Sequence, residues 1–235
     1  MKLPKILIFT PIYEEKDYCL DMFLRKARQI KYPNKRHIFI DNSKDLKYYT
    51  KLKRKLQPMG IEVFHVDRGN NSRESLARAQ NMARKKFLEG KYDYLFSLES
   101  DIMIEPDTIE KLLVKGKDVI SAVYMIGTNG VRIPCITLPE YNDTIKAMGT
   151  RLLKREEINR YVNNGVQRVA AAGMGACLMH HSVIERFAFK YDPRFDGHSD
   201  IYFFNDCFNN RIPVFVNSDI VLEHDNSDWA DVRDR

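Results

Sequence analysis

The segment Tyr94-Leu95-Phe96-Ser97-Leu98-Glu99-Ser100-Asp101 is an apolar run closed by two carboxylates. On an extended chain residues i and i+2 point to the same side, so Glu99 and Asp101 can share one oxygen-loving cation or one polar ligand. A buried parallel strand has no use for acids along its length. Its carboxyl end, however, faces the crevice where open α/β sheets bind ligands. A plainer account makes Asp101 the start of a turn, with Pro106 in the first turn of a helix running to about Lys115. That explains one carboxylate and not the other.

The elements around this pair alternate regularly. Lys5–Thr10 reads as a buried strand, followed by a helix from about Lys16 to Ile30. His37–Ile40 leads into Asp41-Asn42-Ser43 and a basic helix to about Gln57, and Glu62–Val66 is a third strand. A third helix repeats Leu76, Ala79, Ala83 and Phe87 at helical spacing and ends at Gly90. Four βα units in succession predict a parallel sheet with helices on both faces. Beyond residue 115 the pattern loosens. Strands are expected at Asp118–Met125, Ile133–Leu138, Val169–Ala172, Ala176–Met179, Pro213–Val216 and Ile220–Glu223, and helices at His181–Phe187 and Ser199–Asn210. Residues 139–165 suggest a hairpin and a short helix. The expectation is one domain over 1–235, with a nucleotide-binding half at about 1–115 fused to a smaller mixed half at about 116–235.

With 235 residues, 44% of them hydrophobic, the chain can bury a sizeable core. A formal charge of +6 and a pI near 9.0 suit a phosphate-bearing partner without choosing among nucleotide, nucleic acid and anionic membrane. Lys44, Lys47, Lys51, Lys53, Arg54 and Lys55 fall on one helix and read first as a solvated face. Cys19, Cys135, Cys177 and Cys207 show neither paired nor metal-ligand spacing, and are expected to be free thiols of a reducing compartment. No signal-peptide pattern and no membrane-length apolar stretch is present, so a soluble cytoplasmic protein is expected.

Strand ends of a parallel sheet lie on one edge, so the loops Thr10–Glu14, Asp41-Asn42, Asn70–Arg73 and Glu99–Asp101 should converge. No Gly-x-Gly-x-x-Gly follows the first strand and no Walker-type loop occurs, which weakens dinucleotide and NTPase readings. A divalent cation on the paired acids is then the economical counter-charge for a diphosphate.

These residues resemble a known family. The runs T-P-I-Y-E, I-D-N-S-K-D, R-E-S-L-A-R-A-Q-N-M-A and L-E-S-D look like a GT-A glycosyltransferase of the family 2 type. G-M-G-A-C-L-M-H-H-S-V-I-E-R-F, F-D-G-H-S-D-I-Y-F-F-N-D and I-V-L-E-H-D continue the family's motifs in order over nearly the whole chain. The resemblance implies a GT-A fold and transfer of a sugar, of the hexosyltransferase kind, from a nucleotide-diphosphate donor (a UDP-sugar) to an acceptor hydroxyl. It implies that Thr10, Pro11, Ile12 and Glu14 line the base and ribose, that Asp41 accepts from the base, and that Arg73, with Arg78 second, reaches base or phosphates. Glu99 and Ser100 would lie against the ribose and the metal's hydration shell. Asp101 would bind Mn2+ or Mg2+, His224 would approach the metal or the diphosphate, and Asp200 would be the general base, with Asp196 as alternate. Two departures stand out: Glu99 replaces the first Asp of the usual D-x-D, and Ser199 replaces the acid before the base.

One base opposite one leaving group implies inversion at the anomeric carbon. Alternatives remain open at several residues. Asp41 could cap the following helix, His224 could be a surface residue, and Gly173 and Gly175 could serve only a tight turn. His180 and His181 read as structural, and Trp229 reads first as an anchor for the C-terminal tail, with stacking on an acceptor ring as the alternative. Two other classes stay in view: a nucleotidyltransferase, and a non-catalytic basic module binding nucleic acid. The acceptor is open among saccharide, lipid-linked sugar, protein and modified nucleic acid.

Overall fold

A computed structural model describes residues 3–128, 131–142, 147–195 and 197–225; Asp196 and Trp229 lie outside this set. The first half contains β1 (Ile6–Ile12), α1 (Asp17–Ala27), β2 (Lys35–Asp41), α2 (Leu46–Leu56), β3 (Glu62–His65), α3 (Ser72–Glu89) and β4 (Tyr94–Leu98). Next come β5 (Ile102–Met103), α4 (Thr108–Leu113), β6 (Val119–Thr128), β7 (Val131–Pro134), β8 (Ile136–Asn142) and β9 (Ala147–Leu152). After a 3-10 turn at Arg155–Tyr161 follow β10 (Val166–Val169), β11 (Ala171–Ala172), β12 (Ala176–His180), α5 (His181–Ile184), α6 (Ser199–Asn209) and β13 (Val214–His224).

The main sheet runs β10-β13-β6-β12-β4-β1-β2-β3. The expected parallel block β3-β2-β1-β4 is present. β12 lies antiparallel between β4 and β6, and β13 runs parallel to β6. One sheet thus passes through both halves of the chain. A small second sheet, β11-β8-β9, stands off it and contains the hairpin expected within 139–165. The two closing strands expected near 213–223 are one strand, β13, broken only by a register shift between Asn217 and Val221.

Two apolar layers follow from alternation along the strands. Ile6, Ile8 and Ile12 of β1 pack under α1, α2 and α4 through Leu20, Phe23, Leu52 and Leu112. Leu7 and Phe9 pack on the opposite face against Ala79, Ala83 and Phe87 of α3, with Phe203 and Cys207 of α6 in the same layer. Helix starts are fixed locally. Asp45 caps α2 by accepting from the Lys47 amide at 2.8 Å, and Asn71 caps α3 by accepting from the Glu74 amide at 2.9 Å. The basic face of α2 is solvated as expected and pairs with α1 through Lys51–Asp17 (2.6 Å) and Lys55–Asp21 (2.5 Å). His180 and His181 are structural: the first bonds Ser182 at the start of α5, and the second donates to the Tyr92 carbonyl at 2.8 Å. Among the described residues all four cysteines are free, and no helix is long and apolar enough to cross a membrane.

His37 is a half-buried polar group in the first layer. It is hydrogen-bonded to Thr10 Oγ1 at 2.9 Å and packed against Phe23 and Phe39. Burial, with the charge of Lys35 adding, pushes its imidazole down to about 3. The unfolded chain binds the proton near pH ~6.5 while the folded chain refuses it, so stability falls as pH drops from there towards about 3. Urea unfolding at pH 7.5 and 5 should show His37→Gln losing roughly 1–2 kcal/mol less than the parent over that interval. An equal loss in both proteins would assign the acid sensitivity elsewhere.

Candidate functional site

The carboxyl edge of β1–β4 carries a cavity of about 230 Å3 lined by Pro11, Ile12, Tyr13, Lys16, Asn42, Arg68, Ser72, Ser75, Leu76, Glu99, Ser100, Asp101 and His198. The strand ends converge as the topology requires. Of the residues singled out from sequence, Pro11, Ile12, Glu99, Ser100 and Asp101 line it.

Asp101 is its electrostatic centre. It is buried, and its Oδ2 is in ion-pair contact with Lys16 Nζ and 3.4 Å from His224 Nε2. Desolvation opposes ionisation there, but the His224 hydrogen bond and the Lys16 charge outweigh it and hold the carboxyl below its usual range. His224 reaches the site because β5, directly after Asp101, pairs with the end of β13 through Ile102 and Met103. The Asp225 amide donates to the Asp101 carbonyl at 2.8 Å. His224 Nδ1 donates to the Met125 carbonyl at 2.9 Å, and its ring meets Tyr124 edge-on. Fixing Nδ1 leaves Nε2 facing Asp101, the arrangement by which a backbone carbonyl orients an imidazole whose other nitrogen is free to ligate. His224 is therefore not a surface histidine.

Glu99 sits beside this cluster. Desolvation first, then the Asp101 charge, pushes its carboxyl up to about 7, and the charge of Asp200 adds to the rise. The two acids of the motif thus differ in character: Asp101 is ionised and paired, Glu99 is proton-hungry. Asp200 opens α6 and is raised by burial, against the opposing effect of His198 and of backbone amides. It lines a second cavity, and His198 lines both.

Several residues lie elsewhere. Thr10 is fully buried against His37, on the α1 side of the sheet. Asp41 is fully buried too. It accepts from Ser43 Oγ at 2.5 Å and from His65 Nδ1 at 2.6 Å, so it anchors the strand-end loop and does not cap α2. Its neighbour Asn42 faces the cavity. Glu14 is 3.5 Å from Arg68 and outside the lining. Arg73 stands in the first turn of α3 beside the lining residue Ser72. Arg78 is turned outward, paired with Glu74 at 2.7 Å and donating to the Asp67 carbonyl.

The cavity's positive charge comes from two residues the sequence reading passed over, Lys16 and Arg68. Arg68 lies over the Tyr13 ring at 5.0 Å. A basic residue two positions past Val66, on the loop leading to α3, was the available signal for Arg68; Lys16 had only its place in the loop after β1.

Ser199 has a structural explanation. It is buried and donates to Gln80 Oε1 of α3 at 2.5 Å, where an acid would face an acceptor oxygen without a proton to share. Gly173 and Gly175 flank the site for a packing reason, since neither adopts positive φ. A Cβ on either would enter the Tyr124 side chain, which accepts from the Gly175 amide at 3.2 Å and holds the His224 ring.

The sequence matches no protein-family model and no curated protein. Among solved structures, it superposes on S. aureus TarS 1–349 with a TM-score of 0.58 at 16% identity, covering 97% of this chain and 63% of that one. S. aureus TarS gives 0.60 at 13%, covering 97% and 38%. GalNAc-T7 with UDP, GalNAc and Mn2+ gives 0.62 at 14%, covering 94% and 44%. This chain therefore spans between 38% and 63% of the length of these neighbours. The neighbours are glycosyltransferases, and the fold is their GT-A type: a large, mostly parallel sheet with a small antiparallel sheet beside it.

Two outcomes follow from the geometry. Gly173→Ala and Gly175→Ala should each cost about 1–3 kcal/mol through overpacking against Tyr124, read as a drop in thermal midpoint. A midpoint unchanged in both would show the ring is free to move. Arg68→Ala should weaken binding of a nucleoside diphosphate roughly tenfold or more, while Arg78→Ala leaves it within about twofold. Equal losses in calorimetric titrations would remove the distinction drawn between these two arginines.

Proposed function

We propose that this protein is a glycosyltransferase that moves a sugar, of hexosyl type, from a nucleotide-diphosphate donor to an acceptor hydroxyl with inversion. The observation that carries this reading is the pairing of two cavities across His198. One holds an ionised, counter-charged Asp101 with Arg68 and Lys16, and the other holds a desolvated carboxylate, Asp200. The GT-A fold supports it, and a UDP-sugar is the favoured donor because GalNAc-T7 was captured with UDP and GalNAc.

In this reading Pro11, Ile12 and Asn42 contact the nucleoside, with Asp41 stiffening the loop behind them. Arg68 and Lys16 meet diphosphate charge, with Arg73 nearby at the start of α3. Glu99 and Ser100 lie against the ribose. Asp200 takes the proton of the acceptor hydroxyl, and burial that raises its basicity suits that task.

A divalent ion, Mn2+ or Mg2+, fits the donor set at Asp101 in one specific way. Among the described residues no group of three or more His, Cys, Asp and Glu side chains could hold a metal. The Asp101 carboxylate and His224 Nε2 supply two donors, and such ions commonly complete their shell with substrate phosphates and water. When bound, the ion would neutralise charge developing on the departing diphosphate. Lys16 already supplies a positive charge at the same Asp101 oxygen.

The test is a panel of nucleotide sugars titrated with and without Mn2+. Asp101→Asn should abolish the metal's effect on donor affinity. Asp200→Asn should keep donor affinity within about twofold and lower transfer by roughly 10²–10⁴-fold. Undiminished transfer by Asp200→Asn would move the base elsewhere, and a first-formed product with retained anomeric configuration would rule out inversion.

A further inference from the structure

The cavity next to Asp200 differs in kind from the donor cavity. It encloses about 460 Å3 between the β8–β9 hairpin, the Ala170–Ala172 segment and the outer face of α6. Its walls are mainly apolar side chains: Ile136, Leu152, Ala171, Ala172, Phe204 and Phe208.

α6 explains why. Phe203, Phe204 and Cys207 are buried and fix the helix to the core. Ile201, Phe204 and Phe208, spaced i, i+3 and i+7, form a second apolar stripe that faces the cavity. Two of them stay open, Ile201 at 49% and Phe208 at 58% exposure, and Leu152 across the cavity is 41% exposed. Three of the large hydrophobic residues that the described surface exposes therefore border one concavity. Such a concentration marks a binding surface more than a tolerated surface residue. Two polar residues of its lining link it to the donor cavity: His198 lines both, and the charge of Asp200 acts on Glu99.

We propose that the acceptor is a hydroxyl carried on an apolar body: the hydroxyl stands at Asp200 and the apolar portion lies along Ile201, Phe204 and Phe208, away from the donor cavity. This rests on the glycosyltransferase reading above and specifies its acceptor. A purely saccharide acceptor would bury its hydroxyls against these walls with few partners, which costs affinity. An alkyl or aryl body gains by leaving water there. Cavity size agrees, since 460 Å3 lies within the range that houses small ligands. Transfer to such an acceptor balances simply. The acceptor oxygen forms the new glycosidic bond, its proton passes to Asp200, and the anomeric carbon–oxygen bond to the nucleoside diphosphate breaks with both electrons on the diphosphate.

The experiment uses the full chain and 1-alkanols of four to ten carbons, with binding followed by displacement of an anilinonaphthalene sulfonate dye. Affinity should rise about fourfold per methylene until the cavity is filled. The double substitution Ile201→Ser with Phe208→Ser, at exposed positions, should lower it tenfold or more. UDP titration of the same protein reports separately on the donor cavity. A plateau within the series identifies a compact hydrophobic alcohol as the natural acceptor type. A continued rise, with capture by phosphatidylcholine vesicles containing a long-chain alcohol and not by vesicles without it, identifies a lipid.

Absence of chain-length dependence, or equal dye displacement by glucose and maltose, overturns the proposal. So does concentration-dependent dimerisation abolished by the double substitution, because a second copy would then be the occupant. Alkanol binding without any nucleotide-sugar binding would instead overturn the glycosyltransferase reading and leave the apolar site standing.

Discussion

Burying the Asp101 carboxylate is the constraint around which this end of the molecule is arranged. An ionised acid taken out of water must be paired, and removing one partner of such a pair typically costs about 3–5 kcal/mol. Here two partners come from opposite ends of the chain. Lys16 arrives just before α1, and His224 arrives on the last residue of β13. The second is possible only because β5 pairs with β13 immediately after Asp101. The long final strand, its register shift and the small β5 segment therefore share one consequence: they deliver an imidazole to a carboxylate 123 residues away. Tyr124 then needs room to hold that imidazole, and the space is provided by glycine at 173 and 175.

Much of this was legible in the sequence, for a physical reason. Strands buried on both faces are apolar runs, and an acid at the end of such a run stands out. That contrast located the ends of β1, β2 and β4 and the convergence of their loops. Which way each residue points was less legible. Thr10 is on the same side as Ile8, in the layer with α1, so alternation carries its hydroxyl to His37 and away from the cavity. Asp41, expected at the nucleotide base, likewise turns inward to Ser43 and His65, and it is its neighbour Asn42 that faces the cavity. A motif fixes a position along the chain, whereas facing depends on where the strand gives way to loop, a boundary that sequence locates only to within a residue or two.

The arginines show the second limit. Arg73 and Arg78 sit on α3, within the R-E-S-L-A-R-A-Q-N-M-A run on which the family resemblance singled them out. Arg78, though, is held by Glu74 at i−4, a pairing that follows from helix geometry alone. Arg68 belongs to the irregular stretch between β3 and α3, where no period predicts direction, and it is Arg68 that the fold lays over Tyr13 beside the cavity. Ser199 is the complementary case. It read as a missing acid, yet its contact with Gln80 fastens α6 to α3, so the loss of charge leaves a structural bond in its place.

The two cavities meeting at His198 divide the physics between them. On one side Asp101 is paired with Lys16 and Arg68 lies near Glu14, a setting that would suit a ligand bringing phosphates. On the other side the walls are mainly apolar, and burial raises the affinity of the Asp200 carboxylate for a proton. A second acid at 199 would have added charge beside Asp200 and drawn solvent or a counter-ion towards it. With serine there, one carboxylate remains, made more basic by its surroundings and facing the hydroxyl it is proposed to deprotonate.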